Sequence, residues 1–191
     1  MEKRFVKVFL ALVLTLSMAA FMSASGDSMN LFEMWLGTAR VRNSEAYGVN
    51  TAAQTDSGTT VTIKGFVESK GTKKLQGMSF PADKGKIYVF PLLEIENKGN
   101  TDFVLSLDMM SHQVVAEVDG ETIFSDFSAS IAGVIEGLDT FDDGGKAIVA
   151  PGEKVSRYLS FSVPQKWKKI RLIIFDDEDG KGQASLFELN H

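Results

Sequence analysis

Residues 86–97 read Lys-Ile-Tyr-Val-Phe-Pro-Leu-Leu-Glu-Ile-Glu-Asn, and this stretch decides the fold of the chain. Its first half is apolar on both sides, which predicts a central strand buried on both faces. Its second half alternates, with Ile95 on the buried face and Glu94 and Glu96 on the opposite face. Because Pro91 has no N–H to donate to a neighbouring strand, we expect a β-bulge or an edge position there.

Further strands are predicted on both sides of this one. Residues 59–68 alternate between apolar and polar side chains, and a bulge is expected at Gly65. The pair Asp119-Gly120 lies between two short alternating runs, which is the strongest short-range signal of a β-hairpin. The remaining predicted strands cover residues 103–107, 155–163, 170–175 and 184–189.

One helix interrupts the strands. Apolar residues recur at the spacing of one helix face, and this spacing predicts a short crossover helix over 128–137; these residues are Phe127, Ile131, Val134, Ile135 and Leu138. About seven or eight strands with one short helix predict an all-β, antiparallel β-sandwich over residues 58–191. Residues 26–57 form an N-terminal segment of undetermined structure, whose polar part at 43–58 is predicted to be a loop.

The N-terminus has the pattern of a secretory signal peptide. Basic residues at positions 3, 4 and 7 precede an apolar run over 8–21, and the small residues Ser23, Ala24 and Ser25 follow. An uncleaved anchor is the alternative, but a spanning helix needs about 20 apolar residues and this run is shorter. We therefore expect residues 1–25 to be removed. A lipoprotein anchor needs a cysteine at the cleavage site, and the chain has none.

Size and charge narrow the classes of function. Removing residues 1–25 leaves 166 residues, enough for one domain with its own core. The removed residues include three basic side chains and one acidic side chain, so the net charge goes from −5 to −7. A chain of this charge repels phosphate backbones, which argues against nucleic acid as a partner.

Three segments, in order, carry a resemblance to a known family. The first is the strand at 86–97 with its Asn-Lys-Gly-Asn turn at 97–100, and the second is the Val-Asp-Gly-Glu hairpin at 118–121. The third is the Ala-Pro-Gly-Glu-Lys turn at 150–154, which leads through a strand ending in Val-Pro at 163–164 to the apolar strand at 169–174. Together they resemble the telokin-like, immunoglobulin-fold domains of unknown function found on many exported Gram-positive bacterial proteins.

The resemblance covers roughly residues 58–189. It implies an immunoglobulin-like β-sandwich at the cell surface or beyond it, and it carries over no catalytic residues. Two features depart from the family pattern. The stretch at 127–145 is longer and more helical than usual, and the lipoprotein cysteine that many relatives carry is absent.

The residues offer little for catalysis. His112 and His191 are the only histidines, and neither lies in the pattern of a nucleophile elbow with a triad. Glu94 and Glu96 share a strand face, as a glycosidase pair could, but two such carboxylates are more typical of a solvated surface. We therefore predict that the chain is not an enzyme, with no catalytic, cofactor-binding or metal-binding residues assigned.

Two acidic loops leave calcium binding open. One contains Asp139, Asp142 and Asp143, and the other spans residues 176–179. Oxygen ligands on loops suit Ca²⁺, although the spacing in the second loop does not match an EF-hand. Solvated turns are the simpler interpretation.

The aromatic side chains of two strands leave open whether the sandwich has an exposed binding patch. Tyr88, Phe90 and Phe66 lie on the strand face opposite the predicted core, where they either pack on a second layer or form an exposed binding patch. Trp167 lies among Lys166, Lys168 and Lys169, and we expect it to cover an edge of the sandwich while the lysines face solvent.

These observations predict a secreted or cell-wall-associated, immunoglobulin-like binding module. Its ligand is expected to be an extracellular protein or a surface glycan, with no cofactor, no nucleic acid and no membrane span after cleavage; the oligomeric state stays open. The alternative is an envelope hydrolase or protease inhibitor; an inhibitor would present a rigid loop such as 71–81 or 139–151, and an active-site pocket with paired, buried carboxylates would favour the enzyme.

Overall fold

The computed structural model describes residues 41, 44–107, 113–140, 145–177 and 182–191. Within them the chain forms eleven strands and a ten-residue helix. In chain order these are β1 (Ala52–Gln54), β2 (Thr59–Ser69), β3 (Lys86–Asn97), β4 (Phe103–Ser106), β5 (Val114–Val118), β6 (Glu121–Ile123), α1 (Phe127–Glu136), β7 (Lys146–Val149), β8 (Lys154–Tyr158), β9 (Phe161–Pro164), β10 (Lys169–Phe175) and β11 (Ala184–Asn190).

The strands form three antiparallel groups. Sheet I has the order β1-β2-β3-β8, and β9 pairs with the same edge of β3 as β8. Sheet II has the order β11-β10-β5-β6, and β4 pairs with β7. One cluster of buried side chains unites the inner faces of all three groups, including Val61, Ile95, Leu105 and Leu172. The prediction of an all-β, antiparallel sandwich is confirmed.

The predicted number of seven or eight strands is wrong, because the described residues contain eleven. Strand β7 has four residues and β1 has three, which is too short for an alternating pattern to stand out. Residues 155–163 were expected to be one strand and are divided into β8 and β9. The predicted loop at 43–58 is also wrong in part, because it contains β1, whose Ala53 is fully buried.

The chain segment before β1 also contacts sheet II. The Tyr47 N–H donates to the Leu186 carbonyl at 2.8 Å, and its ring lies 5.6 Å from that of Phe187. The predicted signal peptide at 1–25 lies outside the described residues. No helix of the part that is described is long and apolar enough to cross a membrane.

Strand β3 is the central strand of sheet I, as predicted. The expected edge position of Pro91 is wrong, because β2 pairs along one side of it and β8 and β9 along the other. Pro91 falls where the partner changes from β9 to β8, and its carbonyl accepts from the Leu159 N–H at 2.9 Å. A missing N–H costs least at such a gap. The bulge predicted at Gly65 is confirmed by the register shift between Ile63 and Gly65.

The amide of Asn97 joins the end of β3 to its surroundings. It is 1% exposed, and its Nδ2 donates to the carbonyls of Thr101 at 2.8 Å and Val149 at 2.7 Å. Its Oδ1 accepts from the Gly99 N–H at 2.9 Å. One buried side chain thus fixes the turn after β3 and links it to β7, because buried polar groups are stable only when bonded.

The local predictions for the hairpin and the helix are confirmed. Asp119 and Gly120 have φ angles of 51° and 94°, the two positive values that a type I′ turn requires. The Asp126 carboxylate caps α1 by accepting from the Ala129 N–H at 2.9 Å.

Helix α1 lies on the outer face of sheet I. Its Ala129 and Ala132 pack against Tyr88 and Phe90 of β3, which are 3% and 0% exposed. A Cβ atom on Gly133 would lie 2.8 Å from Cγ2 of Thr140 and 2.9 Å from Cε1 of Phe90. The aromatic rings therefore leave room only for very small side chains on the inner side of α1.

Replacing Ile95 by alanine tests the assignment of the two faces of β3. Ile95 is 1% exposed, so Ile95→Ala removes methylenes from the core and is expected to cost about 2–5 kcal/mol. Glu94→Ala on the outer face is expected to cost about 1 kcal/mol or less, because ion pairs at a protein surface contribute little to stability. Urea denaturation measures both, and a larger loss for Glu94→Ala would contradict the assignment.

Replacing Gly133 by leucine tests the close approach of α1. The added side chain has no space against Phe90 and Thr140, so Gly133→Leu is expected to cost about 1–3 kcal/mol through overpacking. Val134→Leu is the matched control, because Val134 is 57% exposed on the other side of the helix. Equal urea midpoints for the two variants would show that Gly133 is not in close contact with the sheet.

Candidate functional site

The outer side of α1 carries an exposed row of large apolar side chains. Phe127 is 80% exposed and Val134 is 57% exposed, and Ile131 is half-buried between them in helical spacing. Phe124, in the segment that leads into the helix, is 62% exposed. We call Phe124, Phe127, Ile131 and Val134 the apolar ridge.

Three of the five apolar residues whose spacing predicts the helix belong to the apolar ridge. An amphipathic helix ordinarily turns its apolar stripe toward the core. In α1 the side toward the sheet is made of Ala129, Ala132 and Gly133, so the large residues point outward. Leu138, at the end of the same predicted stripe, does pack against the aromatic residues under the helix.

The predicted alternative of an aromatic patch on sheet I is resolved in favour of packing. Tyr88 and Phe90 are buried under α1, and this burial raises the pKa of the Tyr88 hydroxyl above its usual value. The predicted facing of Phe66 is wrong: beyond the bulge at Gly65 its side chain packs on the core side, edge-on against Trp167 with ring centroids 5.3 Å apart.

The expectation for Trp167 is confirmed. The side chain is 1% exposed, and its Nε1 donates to Oε1 of Glu68 at 2.8 Å. Its ring also meets the ring of His191 edge-on at 4.9 Å. Lys166 and Lys168 on either side are exposed, as predicted.

The paired glutamates of β3 take part in surface ion pairs. Glu94 lies 3.8 Å from Lys64 and 3.0 Å from Lys154, and Glu96 lies 3.3 Å from Lys98. Each carboxylate therefore has a cationic neighbour on a solvated face. This arrangement fits solubilising charges better than a glycosidase pair, whose proton donor needs a raised pKa.

The acidic loops are described only in part. Asp139 pairs with Arg157 at 2.7 Å, and Asp142, Asp143 and residues 178–181 lie outside the described residues, as does His112. Burial and the repulsion of Asp177 raise the pKa of Asp176. Over the described ranges, no three acidic or histidine side chains come together in a way that could hold a metal ion. Calcium binding by these loops stays a prediction.

A shallow depression near the β5–β6 hairpin mixes charges of both signs. It is lined by Glu117, Asp119, Gly120, Lys168, Lys169 and Arg171. Lys169 and Arg171 are held by Glu188 at 3.0 and 3.3 Å, and the hydrogen bond from Lys169 keeps the pKa of Glu188 below its usual value. Two of its three cations are thus already paired, and Glu117 and Asp119 lie beside them, so the depression offers no strong anion site.

Solved structures of bacterial proteins have folds similar to this one. A conserved hypothetical protein from Bacillus anthracis is 17% identical, covers 75% of this chain and 96% of its own, and superposes with a TM-score of 0.50. At this identity the likeness shows the fold alone. An uncharacterized β-sandwich protein from Clostridium difficile is 15% identical over 78% of this chain and 97% of its own, with a TM-score of 0.44.

A candidate lipoprotein from Bacillus subtilis, ycdA, is 13% identical over 73% of this chain, with a TM-score of 0.48. The match spans only 38% of the length of that protein. No curated protein matches the chain.

The profile of a family described as a domain of unknown function, DUF4352, matches residues 47–185. This range takes in all the strands from β1 to β10, as well as α1. The chain therefore belongs to the DUF4352 family of domains of unknown function.

Proposed function

We propose that this chain is an exported binding module that contacts its ligand through the apolar ridge of α1. The observation that carries the proposal is the exposure of Phe124, Phe127 and Val134, at 62%, 80% and 57%. Large apolar side chains exposed together on one face of a helix are typical of an interaction surface. Within the expected ligand classes, a protein is favoured over a surface glycan, because Ile131 and Val134 offer no hydrogen bonds to sugar hydroxyls.

Export and location are parts of the same proposal. The pattern of residues 1–25 supports secretion, with the product either released or held at the cell wall. The three segments that resemble telokin-like domains support an immunoglobulin-like form of the sandwich. The surface ion pairs of Glu94 and Glu96 support a module that is not an enzyme.

A second candidate function is inhibition of an envelope hydrolase or protease. The observation that favours it is the tip of loop 71–81, where Leu75 and Met78 exchange two backbone hydrogen bonds of 3.0 Å. A fixed tip of this kind loses little conformational freedom on binding. Inhibition would depend on this loop and would leave the apolar ridge free.

The N-terminus of secreted material tests the export proposal. Ser23-Ala-Ser25 has the small residues that signal peptidase requires, so the mature chain is expected to begin near Gly26. N-terminal sequencing of protein recovered outside the producing cells measures this. Material that begins at Met1 would contradict cleavage.

Replacing Phe127 tests the apolar ridge. Phe127→Ser is expected to weaken ligand binding at least about 10-fold, because an aromatic anchor at an interface commonly contributes more than 1 kcal/mol. Stability should change little, since the ring is 80% exposed. The measurement is retention of wall glycans and envelope proteins on immobilised protein, followed by titration of the retained ligand.

Ile148→Ser is the matched control for this experiment. Ile148 is 62% exposed on β7 and lies outside the apolar ridge. The ridge is supported if only Phe127→Ser loses the ligand. Equal retention by both variants and the original chain would place the binding surface elsewhere.

A further inference from the structure

Two loops bring a set of lysines to one end of the sandwich. Loop 70–85 joins β2 to β3, and turn 165–168 joins β9 to β10. The Gln165 N–H donates to the Gly85 carbonyl at 2.9 Å, so the two connections are neighbours. We call this the basic end, because residues 70–86 hold five lysines and one aspartate in a chain of net charge −5.

Several of these lysines are free to meet a ligand. Lys70, Lys74 and Lys84 are exposed, and among the residues that are described none of the ion pairs involves them. Lys166 and Lys168 of the neighbouring turn are exposed as well. By contrast, lysines elsewhere on the sandwich, such as Lys64, Lys98 and Lys154, lie within 4 Å of a carboxylate.

The opposite end of the sandwich is acidic. The turn after β1 contacts the loop after β10, where the Asp56 N–H donates to Oε1 of Gln183 at 2.8 Å. Asp177 and Asp56 lie near enough to Asp176 to repel its charge, and the turns that carry Asp102 and Glu153 lie at the same end. Lysines outnumber carboxylates at the basic end, where Asp83 and Asp119 also lie, and carboxylates outnumber lysines at the opposite end. Such an imbalance orients a protein before contact with a charged surface.

The tip of the basic end is apolar. Leu75 and Met78 are 53% and 60% exposed, and their two mutual backbone hydrogen bonds hold them on either side of the turn at Gln76-Gly77. Lys73 ties the loop to α1 by donating to the Glu136 carbonyl at 3.2 Å. Two fixed apolar side chains in a loop that also carries exposed lysines suit a layer of anionic headgroups above hydrocarbon, whereas a dissolved polyanion makes no use of them.

We propose that the basic end rests on an anionic lipid surface, with the lysines at the phosphates and with Leu75 and Met78 entering the boundary between headgroups and acyl chains. The attachment is peripheral and depends on salt. It goes beyond the binding role of the apolar ridge, because it uses a different set of residues and leaves the acidic end turned away from the lipid.

Vesicle binding by the full-length chain tests the lysines. The chain is expected to bind vesicles of phosphatidylglycerol and phosphatidylcholine more tightly than vesicles of phosphatidylcholine alone, and to lose the difference at high salt. Each lysine near an anionic surface is worth about 5-fold in partitioning, so the triple variant Lys70→Gln, Lys74→Gln, Lys84→Gln should bind about 100-fold more weakly. All variants share the N-terminal apolar run, so its contribution cancels.

The matched control is the triple variant Lys64→Gln, Lys98→Gln, Lys154→Gln. It lowers the net charge by the same three units away from the basic end and is expected to bind within about 5-fold of the original chain. Circular dichroism checks that both variants stay folded. An equal loss in the two triple variants, or no preference of the original chain for phosphatidylglycerol, would overturn the proposal.

The apolar tip separates a lipid surface from a dissolved polyanion. The double variant Leu75→Ser, Met78→Ser should lose vesicle binding at least about 10-fold, since each buried methylene adds to the partitioning of an anchor. Ile148→Ser and Phe127→Ser should bind vesicles unchanged. If the double variant binds vesicles as well as the original chain and inorganic polyphosphate displaces both, the basic end recognises dissolved polyanions and the proposal fails.

Discussion

The first half of β3 must be covered on both faces, and much of the structure follows from this constraint. Val89 belongs to the core between the sheets, while Tyr88 and Phe90 point to the opposite side of sheet I. Two aromatic rings exposed on a sheet would leave a large apolar area in water. The connection between β6 and β7 supplies the cover as helix α1, and the rings determine which residues that helix can turn inward.

The same constraint gives the molecule its candidate binding surface. Because Phe90 occupies the space beneath Gly133, the inner side of α1 is limited to alanine and glycine. The larger apolar side chains of the helix then have no interior to enter, and they form the apolar ridge. A packing requirement on one side of a helix is thus the physical origin of an interaction surface on the other.

The alternation of apolar and polar residues, together with the turn residues, allowed most of the strands and the hairpin to be predicted from sequence. It did not allow a prediction of which strands pair with each other. The strand at 86–97 has its predicted bounds, because twelve residues of strong pattern end at a turn. The break between β8 and β9 depends on Pro91, which is about 70 residues away in the chain but opposite in the sheet. The spacing of apolar residues predicts the helix. Which side of α1 packs on the sheet depends instead on the aromatic rings of β3. The basic end also escaped prediction, because loop 70–85 and turn 165–168 become neighbours only through the pairing of β3 with β9.

The small inner side of α1 also bears on how the domain opens. Ala129, Ala132 and Gly133 bury little apolar area compared with the leucines and isoleucines that hold the strands together. Local opening begins where few apolar contacts must be broken, so the backbone amides of α1 exchange with solvent sooner than those of β3. A ligand on the apolar ridge would press the helix onto Tyr88 and Phe90 and slow that exchange. Ligand binding at the apolar ridge would then make sheet I more rigid without changing its structure.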